Sequence, residues 1–131
     1  MILLDTHVLV WAVAEPRRLS RSAARAIRRA RATDGLGIAA ISLWELAVLF
    51  ARGHLRGQGT TEATIHRMVE ESGVAVRPIT TSIAALAVQF PDDYPRDPAD
   101  RLIGATARAE GLALVTRDEE IRKSKLINTI W

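Results

Sequence analysis

The chain has 131 residues, 48% apolar and 25% charged, with a formal net charge of +3 and no cysteine. This length permits a hydrophobic core without staples, and the lack of cysteine excludes disulfide bridges and thiolate metal ligands. No apolar stretch approaches the roughly 18 residues that span a bilayer, and the apolar N-terminus lacks the basic flank of a secretory signal. We therefore expect one cytoplasmic domain, residues 1–131, without membrane contact.

The first part of the chain alternates short apolar runs with amphipathic segments. An apolar run that ends in a polar turn predicts a buried strand, and apolar residues at helical spacing predict a helix. In order, the predicted elements are a strand at 2–4, a helix at 8–14, a helix at 19–32, a strand at 35–40 and a helix from 42 to about 53.

The second part continues the alternation. Its predicted elements are a helix at 60–72, a strand at 74–79, helices at 81–90 and 98–110, a strand at 112–115, a helical turn at 119–123 and a candidate strand at 126–130. The strands are apolar on both faces, as in a parallel sheet covered by helices. We predict an α/β fold: a three-layer domain with a mostly parallel central sheet of four to five strands flanked by helices.

Acidic residues cluster where this sheet is expected to bind a ligand, beyond the carboxyl ends of its strands. Asp5 follows the first strand, and Asp118 follows the fourth. Glu45 is expected in the first turn of the helix after the second strand. Asp100 is expected in the first turn of the helix that Asp97-Pro98 opens.

Four carboxylates in one crevice repel one another, so such a site needs raised pKa values or a divalent cation. Oxygen ligands without histidine or cysteine suit Mg²⁺ or Mn²⁺. These ions activate water and stabilise the leaving oxygen of a phosphodiester. The pattern therefore predicts metal-assisted hydrolysis of a phosphate ester.

Helix capping is the competing interpretation of the same acids. Residues Ser42–Glu45 and Thr116–Glu119 each have the pattern of a capping box. Asp5 and Asp97 suit N-caps, and the remaining acids would complement helix dipoles. Capping does not explain why every helix start at this edge carries an acid beyond its cap, so we favour the catalytic interpretation.

Four segments resemble the motifs of PIN-domain ribonucleases, in particular the VapC-type toxins of toxin–antitoxin pairs. Their order, spacing and the total length agree with that family, so the resemblance covers essentially the whole chain. The segments are MILLDTHVLVW at 1–11, ISLWEL at 41–46, RDPADRLI at 96–103 and LVTRD at 114–118.

The resemblance implies a set of site residues. The catalytic, metal-binding acids would be Asp5, Glu45, Asp100 and Asp118. Thr6 and Thr116 would supply hydroxyl groups to the same site, and Asp97 would cap its helix or lie behind the ligands. A related subgroup often has histidine before Arg-Asp-Pro and phenylalanine after it. This chain has Tyr94-Pro95 and Ala99 there, which bears on the rim of the pocket and the choice of substrate.

The resemblance also implies an activity and its partners. It implies a Mg²⁺- or Mn²⁺-dependent endoribonuclease that hydrolyses single-stranded regions of RNA. Such toxins form homodimers and are inhibited by a small cognate antitoxin protein. DNA would be contacted only indirectly, through the antitoxin.

Arginines form a dense group between Arg17 and Arg31, where there are seven and no acid. A solvated basic face and contact with an RNA backbone or an acidic partner segment have about equal weight here. Arg101 and Arg117 adjoin the predicted catalytic acids, so we expect these two to contact phosphate.

Three aromatic or histidine positions invite weaker expectations. Trp44 lies among apolar neighbours and is predicted to be in the core. Trp11 is a candidate for a partner groove. His7, beside the acids, is a subordinate candidate for substrate contact.

Two other functions compete with the nuclease. A phosphatase with a nucleophilic aspartate would need a second acid two residues after Asp5 and a nearby lysine. The first position holds His7, and the only lysines are Lys123 and Lys125. A nucleic-acid-binding module that keeps the fold without the chemistry is disfavoured, because all four acids are present.

Overall fold

One sheet of five parallel strands forms the centre of the protein. The computed structural model describes all of residues 1–131. The strands are β1 (Ile2–Leu4), β2 (Leu36–Ala39), β3 (Ala75–Arg77), β4 (Leu114–Val115) and β5 (Thr129–Ile130). Their order is β3-β2-β1-β4-β5, and every neighbouring pair is parallel. The predicted α/β fold is confirmed, including the fifth strand.

Helices make the connections between the strands. They are α1 (Thr6–Ala14), α2 (Arg21–Ala32), α3 (Ile41–Ala51), α4 (Thr61–Ser72), α5 (Thr81–Gln89), α6 (Pro98–Glu110) and α7 (Glu119–Lys123), with a 3₁₀ turn at Pro16–Arg18. The hydroxyls of Ser20 and Thr60 cap α2 and α4, and left-handed Gly73 and Gly111 end α4 and α6. Serine and threonine are favoured N-cap residues, and glycine is favoured just past the end of a helix. None of the helices is long and apolar enough to cross a bilayer.

The sheet separates two hydrophobic cores. Leu4 and Val115 point to the face that α1, α2, α3 and α4 cover. Leu3 and Leu114, one residue earlier on the same strands, belong to the core with α5, α6 and α7. Successive strand side chains point to opposite faces, so apolar residues at both positions need helices on both sides. This gives the three-layer arrangement.

Several element boundaries differ from the prediction. The predicted strand at 74–79 ends at Arg77, because Pro78 has no N–H to donate to a neighbouring strand. Strands β2, β4 and β5 are likewise shorter than predicted. The helix predicted from Leu19 begins at Arg21, after Pro16–Arg18 has formed its separate 3₁₀ turn.

Neither predicted capping box forms. Helix α3 begins at Ile41, and its N-cap is Ala40, which has no side chain to cap with. Ser42 is therefore already inside the helix. Helix α7 is capped by Asp118 rather than by Thr116.

Two tryptophans differ in their burial, and the prediction for Trp44 is wrong. Trp44 is 62% exposed, because the buried positions of α3 are Ser42 and Leu46 and Trp44 lies between them on the other side. Trp11 is only 7% exposed and packs against Trp131, with ring centroids 5.9 Å apart. It belongs to the hydrophobic core, and part of its ring also lines two adjoining surface clefts.

Arg101 connects the segment before α6 to that helix through hydrogen bonds. Its guanidinium donates hydrogen bonds to the carbonyl oxygens of Ala87, Phe90, Pro91 and Tyr94, at 2.7–3.4 Å. A guanidinium has five N–H donors in a fixed fork, which suits several carbonyls at once. The contacts fix the chain where it enters α6, the helix that carries Asp100.

Candidate active site

A cleft of about 290 Å³ opens at the carboxyl ends of the central strands. All four acids that the sequence singles out line it. The lining residues are Asp5, His7, Val8, Trp11, Glu45, Asp100, Arg117 and Asp118. The topology explains the convergence, since β1 and β4 are adjacent and deliver Asp5 and Asp118 to the same edge.

Asp5 lies at the base of the cleft, between β1 and α1. Its Oδ1 accepts a hydrogen bond from the Thr6 N–H at 2.9 Å, and its Oδ2 accepts one from Thr116 Oγ1 at 2.7 Å. Burial raises the pKa of Asp5, and these hydrogen bonds oppose the effect only in part. The two hydrogen bonds hold the carboxylate in one orientation.

Glu45 is fixed by a buried hydroxyl pair. Thr6 Oγ1 donates to Glu45 Oε1 at 2.5 Å and lies 2.8 Å from Ser42 Oγ. Because α3 begins at Ile41, Glu45 falls in its second turn rather than in the predicted first turn. Burial is again the main cause that raises the pKa of Glu45.

Asp100 has a pKa well above its ordinary value. Burial and then repulsion by the other carboxylates raise its pKa to about 7, with Asp5 the strongest of those charges. It lies in the first turn of α6, and its backbone N–H donates to Asp97 Oδ2 at 3.0 Å. Asp97 therefore caps α6 but does not line the cleft. Its charge still adds to the negative potential at Asp100.

Asp118 is the N-cap of α7. Its Oδ1 accepts hydrogen bonds from the N–H groups of Glu120 and Ile121, at 2.9 and 3.1 Å. Its own N–H donates to Thr116 Oγ1 at 3.1 Å. Thr116, fully buried, therefore connects the Asp118 backbone to the Asp5 carboxylate. Both threonines predicted as hydroxyl helpers contact a site acid.

The donor chemistry of the cleft fits a hard divalent cation. Its acidic ligands offer oxygen only, which is the set that Mg²⁺ and Mn²⁺ prefer. As the side chains stand, no three Asp, Glu or His groups are drawn together tightly enough to hold an ion. Their mutual repulsion, visible in the pKa of Asp100, is what a bound cation would relieve.

The sequence of this chain matches a known family model. The model of the PIN domain matches residues 2–125. The chain belongs to the PIN domain family. The match includes all four acids and both threonines of the cleft, so the resemblance found in the motifs is confirmed.

Relatives of this PIN domain include a named ribonuclease. Ribonuclease VapC22 of Mycobacterium tuberculosis is 43% identical over 132 residues, covering 99% of this chain and 98% of the relative. Among solved structures, VapBC2 from Rickettsia felis bound to a promoter DNA fragment has a TM-score of 0.73 at 16% identity, covering 98% and 97% of the two chains. FitAcB from Neisseria gonorrhoeae has a TM-score of 0.63 at 25% identity, covering 98% and 96%.

The arginines of the PIN domain differ in whether they lie near the acidic cleft. Arg117 lines the cleft, with its guanidinium 6.0 Å from the centre of the Trp11 ring. Arg101 is not brought into the cleft, because its guanidinium is engaged with backbone carbonyls. Arg25 and Arg29 of α2 border a surface with Met1, at the opposite edge of the sheet.

Two residues of the site were underrated or misinterpreted from the sequence. His7 is exposed, lines the cleft and lies 6.1 Å, ring to ring, from Trp11. The separation of four between these residues on α1, starting next to Asp5, is the signal that places them together. Ser42 resembled an N-cap, but it is buried and supports Thr6.

Size alone would not select this cleft. A roomier groove of about 560 Å³ lies between α3 and α4, but its lining is mostly apolar, with Glu62 and His66 as its only ionisable residues. The converging carboxylates lie in the smaller cleft. Chemistry therefore identifies the site.

We expect the stability of the metal-free PIN domain to fall as the pH rises from about 4 to about 7. The folded pKa of Asp100 is raised above its ordinary value, so the folded state retains a proton that the unfolded chain releases. Asp100 does not lower the free energy of unfolding at pH values below its unfolded pKa. Its destabilising effect is complete above a pH of about 7. Because Asp100 is partly exposed, we expect a cost on the order of 1–2 kcal/mol after screening.

Thermal unfolding in chelator at the two pH values measures this effect, and Asp100→Asn is the matched variant. The variant should lose the part of the pH dependence that Asp100 causes. Adding Mn²⁺ should restore stability at the higher pH in the wild type only. An identical pH profile in the variant would contradict the assignment.

Proposed function

We propose that this PIN domain is a Mg²⁺- or Mn²⁺-dependent endoribonuclease that hydrolyses phosphodiester bonds in single-stranded regions of RNA. The observation that carries the proposal is the convergence of Asp5, Glu45, Asp100 and Asp118 on one cleft. The 43% identity to a protein named a ribonuclease, over nearly the whole of both chains, supports the class of reaction.

These four carboxylates would hold the cation. When bound, Mg²⁺ or Mn²⁺ supplies an acidified water and stabilises negative charge on the phosphate. The protein's own groups set the geometry: Thr116 orients Asp5, and Thr6 orients Glu45. Because both hydroxyls are buried, the two carboxylates are positioned before substrate arrives, which lowers the cost of organising the site.

Arg117 would contact the substrate phosphate. It lines the same cleft as the acids and makes no ion pair. A guanidinium binds phosphate oxygens with paired N–H donors. Arg117 would thus offset the repulsion between the acids and the RNA backbone.

We further propose that the protein is the toxin of a toxin–antitoxin pair, acting in the cytoplasm as a homodimer. The solved structures that share its fold include VapBC complexes and a toxin–antitoxin complex from Klebsiella pneumoniae. A small cognate antitoxin would be the inhibitory partner, and DNA would be reached only through it.

Cleavage of a labelled single-stranded RNA by the purified protein tests the activity. We expect cleavage with Mg²⁺ or Mn²⁺ and none with excess chelator, with recovery when metal is added back. A protein that binds the RNA but cleaves it under no metal condition would instead be a non-catalytic binding module.

A further inference from the structure

A second groove continues from the acidic cleft. It has a volume of about 430 Å³ and shares His7 and Trp11 with the cleft as common walls. Helix α1, the Pro16–Arg18 turn, helix α3 and the segment after it enclose the groove. A polymer seated over the acids therefore has a direct exit along this groove.

The charge of this groove is opposite to that of the cleft. Arg18, Arg52 and His54 line it, and Glu15 is its only acid. Arg18 already has partners, since it pairs with Glu15 at 3.2 Å and lies 4.6 Å from the centre of the Trp11 ring. Arg52 has no ion pair, so its charge is available to a ligand.

We propose that this cationic groove holds the stretch of RNA adjoining the scissile phosphate, with Arg52 as its principal phosphate contact. The inference rests on the proposed nuclease function and adds the path of the substrate. A strand of RNA laid across four acids is repelled by them, so cations next to the cleft must hold it. The groove supplies those cations at the point where the RNA strand leaves the acidic cleft.

The shape of the groove suits a single strand. Its remaining wall is aliphatic, from residues such as Val48 and Leu49 of α3. Sites for single-stranded nucleic acid combine a basic track for the backbone with apolar or aromatic surface for the bases. An acidic protein segment would also complement the positive charge of the groove. Because the groove is continuous with the proposed hydrolytic cleft, we favour the RNA substrate as its occupant.

The test compares the binding of a fluorescent single-stranded RNA, in Mg²⁺, by wild type and by Arg52→Gln, both carrying Asp5→Asn to prevent cleavage. We expect Arg52→Gln to weaken binding about fivefold at low salt and to reduce the log–log salt slope by about 0.7, the loss of one phosphate contact. Arg52→Lys should retain most of the slope. Arg29→Gln, at the opposite edge of the sheet, should match the wild type.

Cleavage kinetics without the Asp5 change give a second readout. We expect Arg52→Gln to raise KM about fivefold and change kcat less than twofold, because Arg52 lies outside the acidic cleft. Wild-type binding and salt slope in Arg52→Gln, or an equal loss in Arg29→Gln, would overturn the groove as an RNA site. If the wild type fails to cleave while Arg52→Gln still lowers the slope, the nuclease proposal fails and the groove assignment stands.

Discussion

Asp5→Asn is expected to reduce metal-dependent RNA cleavage by at least about 1,000-fold, or roughly 4 kcal/mol of barrier. Asp5 is the most enclosed acid of the cleft, and both of its oxygens are already oriented by hydrogen bonds. Asparagine keeps the shape and one acceptor oxygen but loses the charge that would bind a cation. Initial rates with Mn²⁺ over a range of metal concentrations measure the loss.

The fold should survive this change. Burial raises the pKa of Asp5, so the charged form is a cost in the metal-free protein, and a neutral amide removes that cost. We expect the melting temperature in chelator to stay equal or to rise. Loss of cleavage with a lower melting temperature would point to misfolding instead.

Asp34→Asn is the matched control for the charge. Asp34 is 79% exposed and lies 3.7 Å from the N-terminal ammonium, at the edge of the sheet that faces away from the acids. Its rate should stay within about twofold of the wild type, since exposed ion pairs contribute little. Equal rates for wild type and Asp5→Asn would show that the cleavage comes from another site or a contaminant.

The fold was largely predictable because its signals are local. Short apolar runs such as 2–4 alternate with helical periodicity, and α4 and α6 end at Ser72 and Glu110 as predicted, each just before a glycine. Strand length was not predictable to the residue, because it depends on which neighbour supplies hydrogen bonds. Trp44 was misassigned because α3 is apolar nearly all round, so the periodicity does not say which side meets the core.

The positions of the acids were predictable, but their supporting contacts were not. Asp5, Glu45, Asp100 and Asp118 follow from strand ends and helix starts. Ser42 and Glu45 have the spacing of a capping box, but both side chains instead contact the Thr6 hydroxyl, which is distant in sequence. Arg101 adjoins an acid in sequence, yet successive residues on a helix point in different directions.

Gly104→Ala is expected to destabilise the protein by about 2–3 kcal/mol, a fall of roughly 10 °C in melting temperature. Gly104 lies inside α6, where a Cβ would meet the Tyr94 hydroxyl well within van der Waals contact and Tyr94 Cζ at 2.8 Å. Alanine favours an isolated helix over glycine by up to about 1 kcal/mol. The steric cost of the new methyl group therefore has to exceed the gain in helix propensity. Chemical denaturation measures the net change in the free energy of unfolding.

Tyr94 cannot move aside without breaking other contacts. It is 1% exposed, and its ring meets the edge of Phe90 at a centroid distance of 4.7 Å. Its hydroxyl donates to the Asp100 carbonyl at 3.1 Å, and its own carbonyl accepts from Arg101. The same clash would therefore disturb the start of α6, where Asp100 lies.

A double-mutant cycle with Tyr94→Phe separates the clash from a general effect on the helix. Tyr94→Phe alone should cost about 1 kcal/mol for the lost hydrogen bond. In that background Gly104→Ala should cost clearly less than in the wild type, because the nearest obstructing atom is gone, although Cζ still crowds the new methyl group. Strict additivity of the two changes would mean that the hydroxyl is not the obstruction. The short distance between the Tyr94 ring and the backbone of α6 would then be the reason that position 104 requires glycine. Alanine at 104 would be destabilising whether the ring belongs to tyrosine or to phenylalanine.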